Sequence, residues 1–235
     1  MRHVVCMGGG GFSMEPENDL LDDFVLSLVP HRRKPRVCFV PTASGDADSY
    51  CARFRDAFPE TRAETSVLSL FKRDVVDIAQ FLGSQVVVYV GGGNTANLLA
   101  VWRLHGVDEA LRGAYARGVV LAGVSAGMNG WFGASITDSF DVNRYAPLRD
   151  GLGLLDGSAC PHYNSEAGRK EVYRSLVQDG FPGGYAVNDS AALHFVDEQL
   201  ADVVASVPGR TAFTLQSGAT TAVETELPVT YLGHR

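Results

Sequence analysis

The chain has 235 residues, 46% of them hydrophobic, and a formal net charge of -7. That is enough apolar material for a buried core and too little polar bias for disorder. The acidic balance argues against a general nucleic-acid binder, which needs a basic footprint, and leaves any anionic ligand to be met by a few local arginines.

The apolar stretch at the N-terminus, MRHVVCM, is too short for a signal-peptide core and runs into four glycines rather than a cleavage site. No run of about 18 apolar residues predicts a membrane span. The four cysteines, Cys6, Cys38, Cys51 and Cys160, form no C-x-x-C pair and read as small core residues in a reducing compartment. The expectation is a cytoplasmic protein, monomer or homodimer, with no metal, nucleic-acid or membrane partner.

Taken in chain order, short Val-rich runs alternate with amphipathic stretches. Residues 3–7, 36–40, 85–90 (QVVVYV) and 118–124 (GVVLAGV) are nearly continuous in apolar residues, as strands buried on both faces must be. Helix-like stretches at 17–28, 48–58, from 94 onward and at 107–117 fall between them. This alternation predicts an α/β fold, a mostly parallel sheet flanked by helices. From residue 185 strand-like pieces follow one another at 185–187, 192–196, 203–207, 211–215 and 220–223, predicting an antiparallel extension of the same sheet. With no long linker, charge block or repeat, residues 1–235 read as a single domain.

The segment VVLAGVSAGMNGW, 119–131, holds the strongest chemical signal. A buried strand leads into Ser125, flanked by Gly123 and Gly127, with a helix predicted from Ala126. This is the pattern of a nucleophile elbow, in which a tight strand-to-helix turn lifts the hydroxyl clear of the sheet. The bland reading is a small-residue turn with a capping serine. In VVVYVGGGNTANLL, 86–99, a second strand runs into Gly91, Gly92 and Gly93, with Asn94 or Thr95 as a helix cap. Such glycines let backbone approach a ligand, either as an oxyanion hole shared with the Ala126 amide or as a phosphate cradle. The cradle lacks both G-x-G-x-x-G and a G-K-[ST] ending. Gly8–Gly11, also following a strand, reads as a flexible turn in preference to another ligand-side loop, and 41–44 (PTAS) as a strand-end turn lining the same cleft.

A serine nucleophile needs a base. Of the six histidines, His3 falls in a strand, His31 and His234 in exposed stretches, His105 in a helix and His194 in a late strand. His162, in Ala-Cys-Pro-His-Tyr-Asn, stands where a loop leaves a strand. The acid that orients it is Asp138, Glu166 or Asp189 on pattern alone.

Taken together and in order, VGGGNT (90–95), GVSAGMNGW (123–131), ITDS (136–139), CPHY (160–163) and the strand before Asp189 resemble the serine peptidase family of dipeptidase E (aspartyl dipeptidase) and cyanophycinase. The resemblance spans about 36–195. It implies a glutamine-amidotransferase-like, flavodoxin-like three-layer fold. It implies Ser125 as nucleophile, His162 as base, and amides at Gly92 and Ala126 as oxyanion donors. The family's third member is described both as an acid soon after the serine, where Asp138 stands, and as a late Glu, where this chain has Asp189; strand-end geometry favours Asp189. The implied substrate is a small peptide, foremost a dipeptide with N-terminal aspartate, whose carboxylate would be held by an arginine. Arg169 is the first candidate and Arg144 a weaker second, with Gly91, Gly93 and Asn94 lining the substrate site. No cofactor is implied. An esterase or amidase with the same triad, or a non-catalytic small-ligand-binding protein of the same fold, are the alternatives.

Overall fold

The computed structural model describes residues 1–29 and 34–233, so His31 and His234 lie outside the described residues. In chain order the first half contains β1 (His3–Gly9), α1 (Leu20–Ser27), β2 (Arg36–Val40), α2 (Asp48–Ala57), β3 (Glu64–Val67), α3 (Ile78–Gly83), β4 (Val87–Val90), α4 (Thr95–His105), α5 (Val107–Ala116) and β5 (Val120–Val124). The second half contains α6 (Ala126–Trp131), β6 (Phe132–Thr137), β7 (Ala146–Leu148), β8 (Leu155–Cys160), α7 (Arg169–Gln178), β9 (Gly184–Val187), β10 (Ala191–Val196), β11 (Gln199–Ala205), β12 (Ala212–Gln216), β13 (Val223–Glu226) and β14 (Thr230–Tyr231).

Eight strands form the main sheet in the order β14-β11-β10-β1-β5-β4-β2-β3. From β1 to β3 every pairing is parallel, while β10 pairs antiparallel with β1 and with β11. Side-chain alternation explains why these strands read as apolar runs. Val4, Cys6, Cys38, Val40, Val88, Val90 and Leu121 point to one face, where Leu82 of α3, Leu98 and Trp102 of α4, Leu111 of α5 and Trp131 of α6 cover them. Val5, Met7, Val37, Phe39, Val87, Tyr89 and Val120 point to the other, covered by Leu21 and Val25 of α1 and Phe54 of α2. A parallel sheet buried on both faces has no solvent side, hence no polar alternation to show.

The single antiparallel extension expected after residue 185 requires correction. Only β10, β11 and β14 extend the main sheet; β9, β12 and β13 join β6, β7 and β8 in a second sheet of order β13-β12-β9-β8-β6-β7. Its last strand begins at Val223, where the expected 220–223 strand was to end. α7 packs Tyr173 and Val177 on this sheet beside Ala134, Ile136, Cys160 and Ala186. Within it β6, β8 and β9 run parallel. The topology therefore presents two sets of parallel strands, and the segments that leave their carboxyl ends meet.

Candidate active site

Ser125 follows β5 with φ 56° and ψ -110° and sits at the entrance to α6. A positive φ is costly for a side-chain-bearing residue and persists only where surroundings enforce it. Here the Ser125 amide donates to Met7 O at 3.0 Å, and its carbonyl accepts from Asn129 N at 3.0 Å. Both flanking glycines are demanded by contact. A Cβ on Gly123 would stand 2.5 Å from the Gly127 backbone and from Trp131 Nε1. One on Gly127 would run into the carbonyl of Val90. The small residues of the sequence pattern are thus what lets β5 and α6 fold back on each other beside β4.

His162 arrives from the second sheet, two residues beyond β8, and Asp189 two residues beyond β9. His162 also has positive φ, 54°, fixed by its amide donating to Gly8 O at 3.2 Å and by its neighbour Tyr163 donating to Val187 O at 3.1 Å. Its Nε2 lies 2.8 Å from Ser125 Oγ and its Nδ1 2.6 Å from Asp189 Oδ1. The His162 and Asp189 side chains are 14% and 15% exposed, so the pair is largely but not wholly shielded from solvent. The Asp189 amide donates to Asn164 Oδ1 at 2.7 Å. Burial alone would raise the Asp189 carboxyl, but hydrogen bonds from His162 and Ser165 and the charges of His162 and Arg210 outweigh it and hold the group below its ordinary value. Asp189 is thereby kept ionised against the imidazole, the state that favours the Nδ1–H tautomer and leaves Nε2 to face the serine.

Both ring nitrogens of His162 are taken, and Asp138, in the turn after β6, makes no bond to either. Glu166 is committed elsewhere: it accepts from Arg169 Nε at 2.8 Å and from Tyr145 Oη at 2.9 Å. Arg169 is itself only 3% exposed and stacks on the Tyr145 ring at 4.6 Å. Its charge is therefore matched within the protein, and a substrate carboxylate would have to compete with Glu166. Arg144 is exposed. Of the glycine run, Gly92 faces Ser125, since a Cβ there would meet Ser125 Cβ at 3.3 Å. Gly91 packs under the Phe39 and Tyr50 rings, and Gly93, at φ 138°, lies against the Ala43 carbonyl. Asn94 caps α4 by accepting from Asn97 N at 2.8 Å and ties down Ser139 O with its Nδ2 at 2.9 Å, so both ends of its amide are used in structure. The Ala126 amide is the first of α6 and has no carbonyl one turn earlier within the helix.

The run Gly8–Gly11 is not a flexible turn. Gly8 and Gly9 belong to β1 and form the seam between the sheets. Gly9 bridges to Asp189, and its carbonyl accepts from Ser190 N at 2.9 Å. A Cβ on Gly9 would stand 2.2 Å from Asp189 Oδ1. Glu15, just beyond, accepts from Ser190 Oγ, Ser206 Oγ and the Gly11 amide at 2.9–3.2 Å, pinning the turn that carries Asp189. Sequence reasoning missed Glu15 and also Tyr50, whose hydroxyl accepts from the Gly92 amide at 3.1 Å; Tyr50 lies in a helix whose pattern assigns it to the core. Asn164 carried a signal, two residues from His162 in the same loop.

Comparison with known proteins gives the chain a family. The model of peptidase family S51 matches residues 4–203. A Bacillus subtilis protein named Uncharacterized peptidase YgaJ is 45% identical over 234 residues, 99% of this chain and 100% of the relative. A Drosophila melanogaster protein named Probable alpha-aspartyl dipeptidase is 32% identical over 57% of this chain and 55% of its own. The crystal structure of a peptidase from an acI-B1 Actinobacterium shares the fold, with a TM-score of 0.71 at 17% identity over 97% of this chain and 95% of that one. Among the described residues no helix is long and apolar enough to cross a membrane. With a match that begins in β1 and ends in β11, the chain belongs to peptidase family S51 and is a serine-type peptidase.

Proposed function

We propose that this peptidase hydrolyses short peptides, dipeptides with N-terminal aspartate foremost, by acyl transfer through Ser125, His162 and Asp189. The observation that carries the reading is the unbroken line Ser125 Oγ–His162 Nε2–His162 Nδ1–Asp189 Oδ1, with spans of 2.8 and 2.6 Å. Ser125 Oγ attacks the scissile carbonyl carbon as His162 Nε2 takes its proton. Asp189 orients the ring and balances the imidazolium. The Ala126 amide, together with the Gly92 amide once it leaves Tyr50 Oη, receives the oxyanion in this scheme, each such donor being worth on the order of 3 kcal/mol. The tetrahedral intermediate collapses as His162 gives its proton to the leaving amine. Water, activated by the same histidine, then releases the acyl group. Residues 1–235 act as one unit in this scheme, because nucleophile and base come from different sheets.

The aspartyl preference draws on the relative named for it and on Arg169, whose guanidinium an acidic side chain would take over from Glu166. The test is a panel of short peptides, Asp-Xaa included, with wild type, Ser125→Ala and Arg169→Met. Cleavage of Asp-Xaa that disappears in Ser125→Ala and whose KM rises in Arg169→Met is the expected result. Ser125-dependent cleavage that ignores the first side chain would remove the aspartyl preference and leave the mechanism. Cleavage surviving Ser125→Ala would overturn the mechanism.

A further inference from the structure

Tyr50 is 5% exposed, and its ring packs against Phe12 and Phe39 at 5.6 and 5.0 Å between centroids, with Arg53 stacked at 4.9 Å on it. Such a ring is ordinary core material. Its hydroxyl is not placed like a core hydroxyl. It emerges at Gly92, taking that amide's hydrogen bond at 3.1 Å, and lies 2.7 Å from Ser13 Oγ. Gly92 in turn abuts Ser125.

We propose that the Tyr50 hydroxyl is a catalytic residue of this enzyme, a side-chain donor to the oxyanion that stands beside the Gly92 amide. The inference rests on Ser125 acting as nucleophile. The proton count is compatible with it. In the substrate-free state Tyr50 Oη accepts from Gly92 N–H. Either hydroxyl of the Ser13–Tyr50 pair can donate; with Ser13 Oγ–H as the donor, the tyrosine's own proton is free for a substrate oxygen. Gly92 N and Tyr50 Oη are 3.1 Å apart, so one oxygen fits within about 2.8 Å of both. When the substrate oxyanion forms there, the Gly92 N–H turns from Oη to it and Tyr50 O–H donates alongside. Until then Oη keeps the amide satisfied and aimed. Burial, together with the Asp22 charge, raises the Tyr50 hydroxyl above its ordinary value despite the Ser13 and Gly92 hydrogen bonds and Arg53, so the proton to be donated is retained at working pH.

The decisive variant is Tyr50→Phe, which keeps the ring and removes only the hydroxyl. With the best peptide from the panel, kcat is expected to fall on the order of 100-fold while KM stays within about threefold. The affinity for a peptide boronate, which forms a tetrahedral adduct on Ser125, should fall by a similar factor, and that for the dipeptide product should not. Ser13→Ala, which removes the partner that orients Oη and leaves the packing alone, should lower kcat by about tenfold at most. A Tyr50→Phe enzyme with kcat within threefold of wild type, or with a raised KM and unchanged kcat, overturns the proposal while the Ser125 mechanism stands. Wild-type turnover that does not depend on Ser125 removes both.

Discussion

In the proposed mechanism Gly9 couples the fold to the chemistry, and Gly9→Ala tests that coupling. The added methyl would stand 2.2 Å from Asp189 Oδ1 and 2.9 Å from Met14 Sδ, where real Cβ atoms stay beyond 3.0 Å. Met14 is half-exposed and free to swing aside. Asp189 is not, because its backbone is tied to Gly9 and Asn164 and its neighbour Ser190 to Glu15. The carboxylate must therefore retreat by about 1 Å, which stretches a 2.6 Å hydrogen bond to His162 out of range. Misplacing a catalytic group by about 1 Å costs on the order of 100-fold, and losing a triad carboxylate altogether about 10⁴-fold. The expectation is a drop in kcat/KM on the order of 100-fold, about 3 kcal/mol of transition-state stabilisation. Thermal unfolding of the variant should stay cooperative, which separates loss of activity from loss of the fold. Peptide hydrolysis by a cooperatively folded Gly9→Ala enzyme within threefold of wild type would refute the claim that β1 positions Asp189.

Three further outcomes follow from the same geometry. Asp189→Asn should lower kcat by roughly 10³–10⁴-fold by stabilising the wrong imidazole tautomer, whereas Asp138→Asn should stay within about fivefold; the reverse order would move the acid to Asp138. Removing the Glu15 carboxylate in Glu15→Gln should slow turnover with little change in KM, since it acts through the Ser190 turn, and a KM effect alone would count against that role. Asp22 is fully buried, and burial pushes its carboxyl from 3.8 to about 7 against the hydrogen bonds from Tyr89 and Phe12. The folded state thus holds a proton that the unfolded state releases above 3.8, so stability is lost as pH rises from 3.8 to about 7, a span worth about 4 kcal/mol at about 1.4 kcal/mol per unit. Asp22→Asn should therefore gain on wild type across that window in urea unfolding and hold a constant lead above it. The stacked His3 and His194, both lowered chiefly by burial, pull the other way below their ordinary value, but equally in both proteins. A lead that does not change with pH would contradict the assignment.

What was legible in the sequence follows from what each segment must do. β1, β2, β4 and β5 are buried on both faces, so Val-rich runs announced them. Ser125 and its two glycines were legible because the elbow tolerates so few residue types on either side. The second sheet was not legible, because Phe132–Thr137 and Leu155–Cys160 read FGASIT and LDGSAC, small and polar residues with no clear period. A run of glycines at Gly8–Gly11 suggests looseness, whereas here the missing side chains at Gly8 and Gly9 admit Asp189 and the Val187–Asn188 backbone. Asp189 stands at the end of a strand legible in the sequence, and the pairing of that strand with β8, which is not legible, brings it to His162. Arg169 illustrates the limit of composition: sequence alone does not show that its guanidinium is paired with Glu166, three residues before it, the partner with which a substrate carboxylate would compete.

The most direct measurement is peptide-resolved mass spectrometry after treatment with a fluorophosphonate, which phosphonylates an activated serine. The account predicts a single adduct on Ser125, absent in Ser125→Ala and formed far more slowly in Asp189→Asn. Hydrolysis of peptides by an enzyme that carries no adduct, or carries it on another residue, would contradict Ser125 as the nucleophile.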